Sequence, residues 1–379
     1  MNWSFRIATV AGIPIRVHLT FFLILLLGAY QWYGLTDTIN GAVFGVALMI
    51  LLFVCVTLHE LGHGLVARAF GVPVREIILL PLGGVALMGK NPQKPAHELW
   101  IAIAGPAVNV IIALLLLVPV GLAAAPSLLN SHGLLPAGLG NTPSLSTALL
   151  WLLAANVSLV IFNLIPAFPL DGGRILRALL AMFMGYPKAT RVAVVTGQLI
   201  ALILGLYGVL NNQFLLTLVA VFIYFGAGQE TAAADAKTVL DTLRVGDAYN
   251  KHALTLAVGD RVSRAVDYIL TSYQPDFAVM QARNPIGIVT RSDVLATLAS
   301  APGDMLVTET MQREFLKVDA NKSLSEVRQV MQEKGTRIAA VYDGAAYLGL
   351  IGLEDIAEAF AIQTFVHRHE RLKPAPAKV

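Results

Sequence analysis

Two histidines four residues apart flank a glutamate in the segment His59-Glu60-Leu61-Gly62-His63. On a helix, residues four apart project from one face, so both imidazoles can bind one metal ion and Glu60 can act as a base. The preceding residues 41–58 are apolar almost throughout. Charged groups are costly in hydrocarbon, so such a cluster is a hypothesis of function by default. These residue types predict metal-assisted peptide-bond hydrolysis inside a membrane.

Two histidines do not complete a catalytic zinc site, which needs three protein ligands and an open position. The candidate for the third ligand is Asp171, which follows the helix-breaking residues Pro166 and Pro169. The next two residues, Gly172-Gly173, predict a flexible backbone around this acid. The alternative is that Asp171 caps the helix that follows, where an acidic side chain is favoured.

The chain contains one cysteine, Cys55. A single cysteine excludes an intramolecular disulfide framework and a zinc site built from several thiolates. Cys55 precedes His59 by four residues, so it can share the same helix face. A buried free cysteine usually packs as a small apolar residue, and we prefer that interpretation.

The composition indicates a membrane protein joined to a more polar part. The chain has 379 residues, of which 56% are hydrophobic and 13% are charged, whereas soluble proteins carry about 25% charged residues. Residues 1–238 hold 11 Lys/Arg and 7 Asp/Glu, and residues 239–379 hold 16 and 17. A net charge of +3 gives no argument for a nucleic-acid partner.

Apolar stretches of about 20 residues predict membrane spans. Six are found, over 18–36, 41–67, 97–125, 146–170, 189–210 and 213–229. The predicted fold class is therefore a multi-pass α-helical membrane protein of about six transmembrane helices with a C-terminal α/β domain. The apolar loop 71–95 contains prolines and glycines, which favours a β-hairpin or a re-entrant segment beside the metal.

The Lys and Arg content of the loops between the spans indicates on which side of the membrane each loop lies. The 31–41, 126–145 and 210–213 segments contain no Lys or Arg, whereas the loops on the opposite side do. This positive-inside pattern predicts six crossings with a cytoplasmic N-terminus and a cytoplasmic C-terminal tail. It also places His59 and His63 toward the cytoplasmic end of the second span. The expected location is the plasma membrane.

Three segments in this order resemble the site-2 protease family of intramembrane zinc metalloproteases: His59-Glu60-Leu61-Gly62-His63, Gly105-Pro106-Ala107-Val108-Asn109 and Asn163-Leu164-Ile165-Pro166-Ala167-Phe168-Pro169-Leu170-Asp171-Gly172-Gly173. The resemblance covers roughly residues 1–230. It implies that His59, His63 and Asp171 bind one Zn²⁺ per chain and that Glu60 is the catalytic base. The substrates it implies are transmembrane proteins within a lipid bilayer.

The same resemblance assigns roles to two asparagines. Asn163 corresponds to a family asparagine near the metal that helps to hold substrate or the oxyanion. Asn109 corresponds to a polar residue of the third span with a supporting role. The alternative for both is an interhelical hydrogen bond, which asparagine commonly provides in membranes.

The C-terminal part contains two similar units. Gly287 and Asp293 of the first recur 62 residues later as Gly349 and Asp355. In each unit a strand of β-branched residues leads through a turn to an aspartate and then a helix. This order is an α/β pattern. The two units resemble a tandem pair of CBS domains.

In the CBS family, the turn of each unit often contacts an adenosine nucleotide. The resemblance therefore implies nucleotide contacts by Thr290, Asp293 and Asp355. The second unit departs from the pattern, because Gly352 stands where the hydroxyl residue would be. The alternative is a structural pair, or one that forms a homodimer, with the acids serving as helix caps.

The predicted organisation is a metalloprotease domain over 1–230, a linker over 231–244, CBS repeats over 245–300 and 301–365, and a disordered basic tail over 366–379.

Three other functions remain open. The chain could be a catalytically idle scaffold, a CBS-regulated transporter, or a membrane zinc protease whose third ligand is a later glutamate. Intact His59, Glu60, His63 and Asp171 argue against the first. Internal repeats in the membrane part would favour the second, and we find none.

Overall fold

The computed structural model describes residues 3–81, 83–89, 94–130, 142–272, 274–300 and 303–372, with side chains throughout except at 123–130 and 367–372. Two compact units make up the chain, Met1–Ala232 and Ala233–Val379. The first is dominated by long apolar helices, and the second by short strands and helices.

The first unit combines seven helices with four short strands in the part of the chain that the structure describes. In chain order these are β1 (Ser4–Val10), β2 (Ile13–His18), α1 (Phe21–Thr36), α2 (Ile39–Ala69), β3 (Val74–Leu80), β4 (Gly83–Met88), α3 (Pro95–Asn130), α4 (Leu145–Asn163), α5 (Asp171–Met184), α6 (Tyr186–Leu210) and α7 (Phe214–Thr242). The last helix continues into the second unit.

Five helices within the described ranges are long and apolar enough to cross a bilayer. They are α2, α3 up to Leu122, α4, α6 and α7. Helix α1 is also apolar but has 16 residues, which is somewhat short for the roughly 17–25 residues of a typical span. The structure thus agrees with a multi-pass helical protein of about six spans.

The first and the fourth predicted spans differ from the helices of the structure. The span expected from residue 18 begins at Phe21, because residues 13–18 form strand β2. The span expected over 146–170 ends at Asn163, because Pro166 and Pro169 lack the amide hydrogens that a helix needs. A separate helix, α5, then starts at Asp171, where the sequence suggested a helix only as the alternative in which Asp171 serves as a cap.

A four-stranded sheet with the order β1-β2-β3-β4 packs against the helices. Strands β3 and β4 form the antiparallel hairpin expected within residues 71–95. Strands β1 and β2 were not predicted, and β2 pairs in parallel with β3. Alternate residues of the sheet are buried with Phe53 and Leu61 of α2, which fixes the sheet beside the helix that carries both histidines.

The second unit contains two three-stranded sheets. Its elements are α8 (Val245–Ala248), β5 (Thr255–Ala257), α9 (Val262–Ser272), β6 (Phe277–Gln281), β7 (Asn284–Val289), α10 (Arg291–Ser300), α11 (Val307–Thr310), β8 (Leu316–Asp319), α12 (Leu324–Lys334), β9 (Ile338–Asp343), β10 (Ala346–Gly352) and α13 (Leu353–Leu372). Each sheet has one parallel and one antiparallel pair, so both repeats share one topology.

The short helix that begins each repeat packs into the core of the other repeat. Val245 of α8 lies in the core around Val318 and Ile351. Val307 of α11 lies in the core around Leu256 and Val289. The repeats therefore exchange their first segments, and neither expected range, 245–300 or 301–365, holds a complete core by itself.

Two expectations about connecting segments need correction. The segment 231–244 was predicted as a linker, but α7 continues through it to Thr242, since its alanines favour helix. The tail 366–379 was predicted as disordered, but α13 continues to Leu372, because the first helix breaker is Pro374. Residues 373–379 lie outside the described residues.

Candidate metal centre

Helices α2 and α5 bring three donor atoms together. Nε2 of His59 lies 3.2 Å from Oδ2 of Asp171, and Nε2 of His63 lies 3.1 Å from the same oxygen. The two imidazole Nε2 atoms are 3.1 Å apart. All three residues are buried. Among the described residues, these three form the group of His, Cys, Asp and Glu side chains that could hold a metal ion.

A chain of hydrogen bonds fixes the His59 ring. Asn156 donates to the carbonyl of Leu152 (2.8 Å) and accepts from Asn109 (2.8 Å). A carbonyl can only accept, so the direction of both amides is determined. The free oxygen of Asn109 is then an acceptor, and it contacts Nδ1 of His59. His59 must donate from Nδ1.

The backbone fixes the His63 ring in the same way. Its Nδ1 lies 2.6 Å from the carbonyl oxygen of Ile101 and must donate to it. In neutral imidazoles both Nε2 atoms are then unprotonated, and they face a carboxylate oxygen. Three lone-pair atoms at 3.1–3.2 Å repel one another unless a cation lies among them. The donor set therefore fits a bound metal ion.

The separation of the donors suits zinc. Ligands at about 2.0–2.1 Å from a tetrahedral Zn²⁺ stand about 3.3 Å apart, close to the observed 3.1–3.2 Å. Orienting each ligand imidazole through its second nitrogen is usual in zinc proteins. Gly105 of α3 leaves room at the donor atoms, since a Cβ there would lie 2.2 Å from His63 Nε2 and 2.6 Å from His59 Nε2.

Replacing Gly105 by alanine is therefore expected to abolish zinc binding. The added methyl group would meet both Nε2 atoms, and neither ring can turn away without losing its Nδ1 hydrogen bond. Metal analysis of the purified protein tests this. Gly121→Ala on the same helix is the matched control, because no atom lies within 4 Å of a Cβ there. Stoichiometric zinc in Gly105→Ala would contradict the assignment of this space to the metal.

The two glycines after Asp171 have a different role from the one expected. Both are helical and buried in the first turn of α5, so they do not make the backbone flexible. A Cβ on Gly172 would lie 2.2 Å from the carbonyl oxygen of Ile165, and one on Gly173 would lie 2.6 Å from the carbonyl carbon of Ala167. They allow α5 to approach the preceding turn closely, which places the Asp171 carboxylate.

Glu60 lies between the two histidines on α2, against strand β4. A Cβ on Gly84 would lie 2.4 Å from Cγ of Glu60. Within the described part of the chain its carboxylate makes no hydrogen bond or ion pair, and it interacts electrostatically with His59, His63 and Asp171. A carboxylate in this setting can exchange a proton with a molecule held at the cluster.

Of the other residues that the sequence suggested for the site, the structure brings only some into contact with the three clustered side chains. Asn109 is fully buried and holds His59. Asn163 ends α4 and is partly buried, and among the described residues no hydrogen bond joins its side chain to the cluster. Cys55 is buried and lies 3.4 Å from the Asn156 amide, away from the donor set. Sequence reasoning missed Asn156, although an asparagine inside an apolar span is itself a signal.

The second unit contains a cleft of about 1320 Å³ lined by both repeats. Thr290, Asp293 and Asp355 all line it. Asp293 accepts hydrogen bonds from the Thr290 hydroxyl (2.7 Å) and from Gln312 (3.0 Å), whereas Asp355 accepts one from the Gly352 amide (2.6 Å). Burial raises the pKa of Asp355 and of Asp276, which also lines the cleft.

Comparisons with known proteins found similarity over both parts of the chain. The model of Peptidase family M50 matches residues 47–132 and 132–206, and the CBS domain model matches residues 307–362. A zinc metalloprotease of Methanocaldococcus jannaschii is 33% identical over 368 residues, covering 96% of this chain and 97% of the relative.

Solved structures are similar to each part. A site-2 protease from Methanocaldococcus jannaschii is 42% identical, with a TM-score of 0.43, covering 60% of this chain and 95% of that one. A CBS domain pair solved with 5′-methylthioadenosine and S-adenosyl-L-methionine is 19% identical, with a TM-score of 0.30, covering 32% of this chain and 98% of that one.

The long apolar helices and the buried His-His-Asp cluster define a multi-pass membrane metalloprotease. With full-length similarity to a zinc metalloprotease, the chain belongs to Peptidase family M50, the site-2 protease family of zinc metalloendopeptidases. Its C-terminal unit is an α/β CBS pair.

Proposed function

We propose that His59, His63 and Asp171 hold one zinc ion per chain and that Glu60 is the general base for hydrolysis of peptide bonds in membrane-spanning substrates. The observation that carries this proposal is the convergence of three oriented lone-pair atoms with separations of 3.1–3.2 Å. A bound zinc would lower the pKa of a coordinated water to about 7 and polarise the scissile carbonyl.

Three side chains around the proposed metal site have further roles in the reaction. Glu60 takes a proton from the attacking water and delivers it to the leaving amine. Asn109 keeps Nδ1 of His59 protonated, so that Nε2 stays available as a ligand. We assign Asn163 to holding substrate or the oxyanion, an effect of about 3–4 kcal/mol for such a donor. Its position at the end of α4, beside the turn that leads to Asp171, supports this role.

We further propose that residues 1–230 form the protease domain in a plasma membrane, with the N-terminus and the CBS pair in the cytoplasm. The basic residues concentrate in alternate loops, which supports this orientation. The two histidines lie in the last third of α2, which on this topology faces the cytoplasm. The substrate bond would therefore be cut toward the cytoplasmic side of the bilayer.

Cleavage of a single-span model substrate by the purified protein tests the function. We expect a cut within or next to the substrate span, lost when a chelator removes zinc and regained when zinc returns. An idle scaffold would bind the substrate without cutting it. A transporter would show neither zinc-dependent cleavage nor a stable substrate complex.

We propose that the CBS pair modulates this activity by binding an adenosine nucleotide in the cleft. The turn residues Thr290, Asp293 and Asp355 line it, which supports nucleotide contacts on both repeats. The Thr290–Asp293 hydrogen bond has no counterpart at Gly352, so we expect the first repeat to contribute more of the affinity. A homodimer through the CBS units would be compatible with this arrangement.

Replacing Asp293 by alanine is expected to weaken binding of an adenosine nucleotide by about 10- to 150-fold, because a hydrogen bond from a ligand hydroxyl to a carboxylate contributes about 1.5–3 kcal/mol. Calorimetric titration of the full chain with adenosine nucleotides measures this. Asp267→Ala on the exposed side of α9 is the control. If the wild-type protein binds none of them, the CBS pair is structural.

A further inference from the structure

Helix α7 lies along the turn that carries Asp171. One face of α7 is formed by residues three and four positions apart: Ile223, Gly226, Ala227 and Glu230. Ile223 is buried with Ala167 and Leu170, the last residue before Asp171. Ala227 is buried with Phe168. The position of Asp171 therefore depends on α7 as well as on α5.

The approach of α7 to this turn leaves no room for a side chain. A Cβ on Gly226 would lie 2.6 Å from Cδ of Pro169. Helix α7 thus contacts the turn at three successive points, through Ile223, Gly226 and Ala227. A shift of α7 would press directly on the residues before Asp171, since close-packed segments transmit displacement.

The fourth residue of this face makes a polar contact. Arg177 of α5 donates from Nε to Oε1 of Glu98 on α3 (2.8 Å) and from a terminal nitrogen to Oε1 of Glu230 on α7. Its guanidinium also lies over the Phe168 ring, 4.8 Å from the centroid. One cation therefore joins α3, α5, α7 and the turn before Asp171.

This cation is held in a largely buried setting. The Arg177 and Glu98 side chains are 15% and 6% exposed, and Glu230 is 36% exposed. Arg177 follows Asp171 by six positions on α5, a rise of about 9 Å. Because both residues lie on one continuous helix, a displacement of Arg177 is expected to displace Asp171.

We propose that Arg177 and Glu230 are positioning residues for the metal centre. The inference rests on the proposed role of Asp171 as a metal ligand. Partners that orient metal ligands from outside typically change metal affinity by about 10- to 100-fold when removed.

The test compares Glu230→Gln with Asp235→Asn in the full-length protein. Both remove one carboxylate charge from α7, but Asp235 is exposed and Glu230 contacts Arg177. Chelator competition measures zinc affinity, and the visible absorption of the Co²⁺-loaded protein reports ligand geometry. We expect Glu230→Gln to bind zinc about tenfold more weakly with a changed cobalt spectrum, and Asp235→Asn to match wild type.

Arg177→Lys provides a second variant, which decides the matter if Glu230→Gln does not fold. A lysine keeps one charge but cannot serve both acids in the same geometry, so we expect a smaller change in the same direction. A purely structural role predicts a lower Tm with a wild-type cobalt spectrum and wild-type zinc affinity. That result in the folded variants would overturn the proposal.

Discussion

Glu60→Gln is expected to slow cleavage of a membrane-spanning substrate by about 10²- to 10⁴-fold, the usual contribution of a general base. Glutamine keeps the size of the side chain but cannot accept the proton of the attacking water. Glu60 is not one of the three clustered donors, so zinc content is expected to stay at the wild-type level. The measurement is the single-turnover rate together with metal analysis of the same sample.

Glu76→Gln is the matched control for this substitution. Glu76 lies on β3 and forms an ion pair with Arg16 at 3.6 Å, outside the donor cluster. It should cleave at nearly the wild-type rate. Normal cleavage by Glu60→Gln would exclude the proposed role of Glu60, whereas loss of zinc from this variant would indicate that Glu60 supports the metal instead.

Asp171→Ala is expected to lose both zinc and cleavage. It removes one of three converging donors and leaves the two Nε2 lone pairs 3.1 Å apart with no shared anion. The loss of zinc affinity should exceed the 10- to 100-fold change that outer partners usually cause. Chelator competition gives the affinity, and a thermal melt without metal shows whether the fold is retained.

Asp235→Ala serves as the control, since this residue is an exposed acid on α7. Stoichiometric zinc in Asp171→Ala would show that the third ligand is another group. A glutamate ligand would point to a different class of zinc protease. In that case Glu98 is an unsuitable replacement, because it already accepts two hydrogen bonds from Arg177.

Local spacing made the centre of the site predictable. His59 and His63 share a face because they lie one turn apart on a helix, and the Asp-Gly-Gly segment marks a break where a ligand can be presented. The structure brings these residues together as expected. Asn156 could not be assigned in this way. Its contact with Asn109 joins two helices, and no periodicity in either helix specifies their relative rotation.

In the fold, too, local sequence patterns predicted some elements, whereas elements that depend on tertiary contacts were missed. Hydropathy found the long apolar helices because a bilayer requires about 20 apolar residues in succession. It did not find β1 and β2, which pair with each other, and the pairing of β2 with β3 depends on a contact between distant segments. It also ended the last span at residue 229, whereas α7 continues to Thr242 with polar and alanine residues that favour helix outside a membrane.

The most direct test of the central claim is X-ray absorption at the zinc edge of the purified wild-type protein. Two imidazole nitrogens at about 2.0–2.1 Å and oxygen ligands at about 2.0–2.2 Å are predicted, with no sulfur ligand. Such a spectrum would match His59, His63 and Asp171 as the donor set. A zinc–sulfur distance of about 2.3 Å, or a third imidazole, would contradict it.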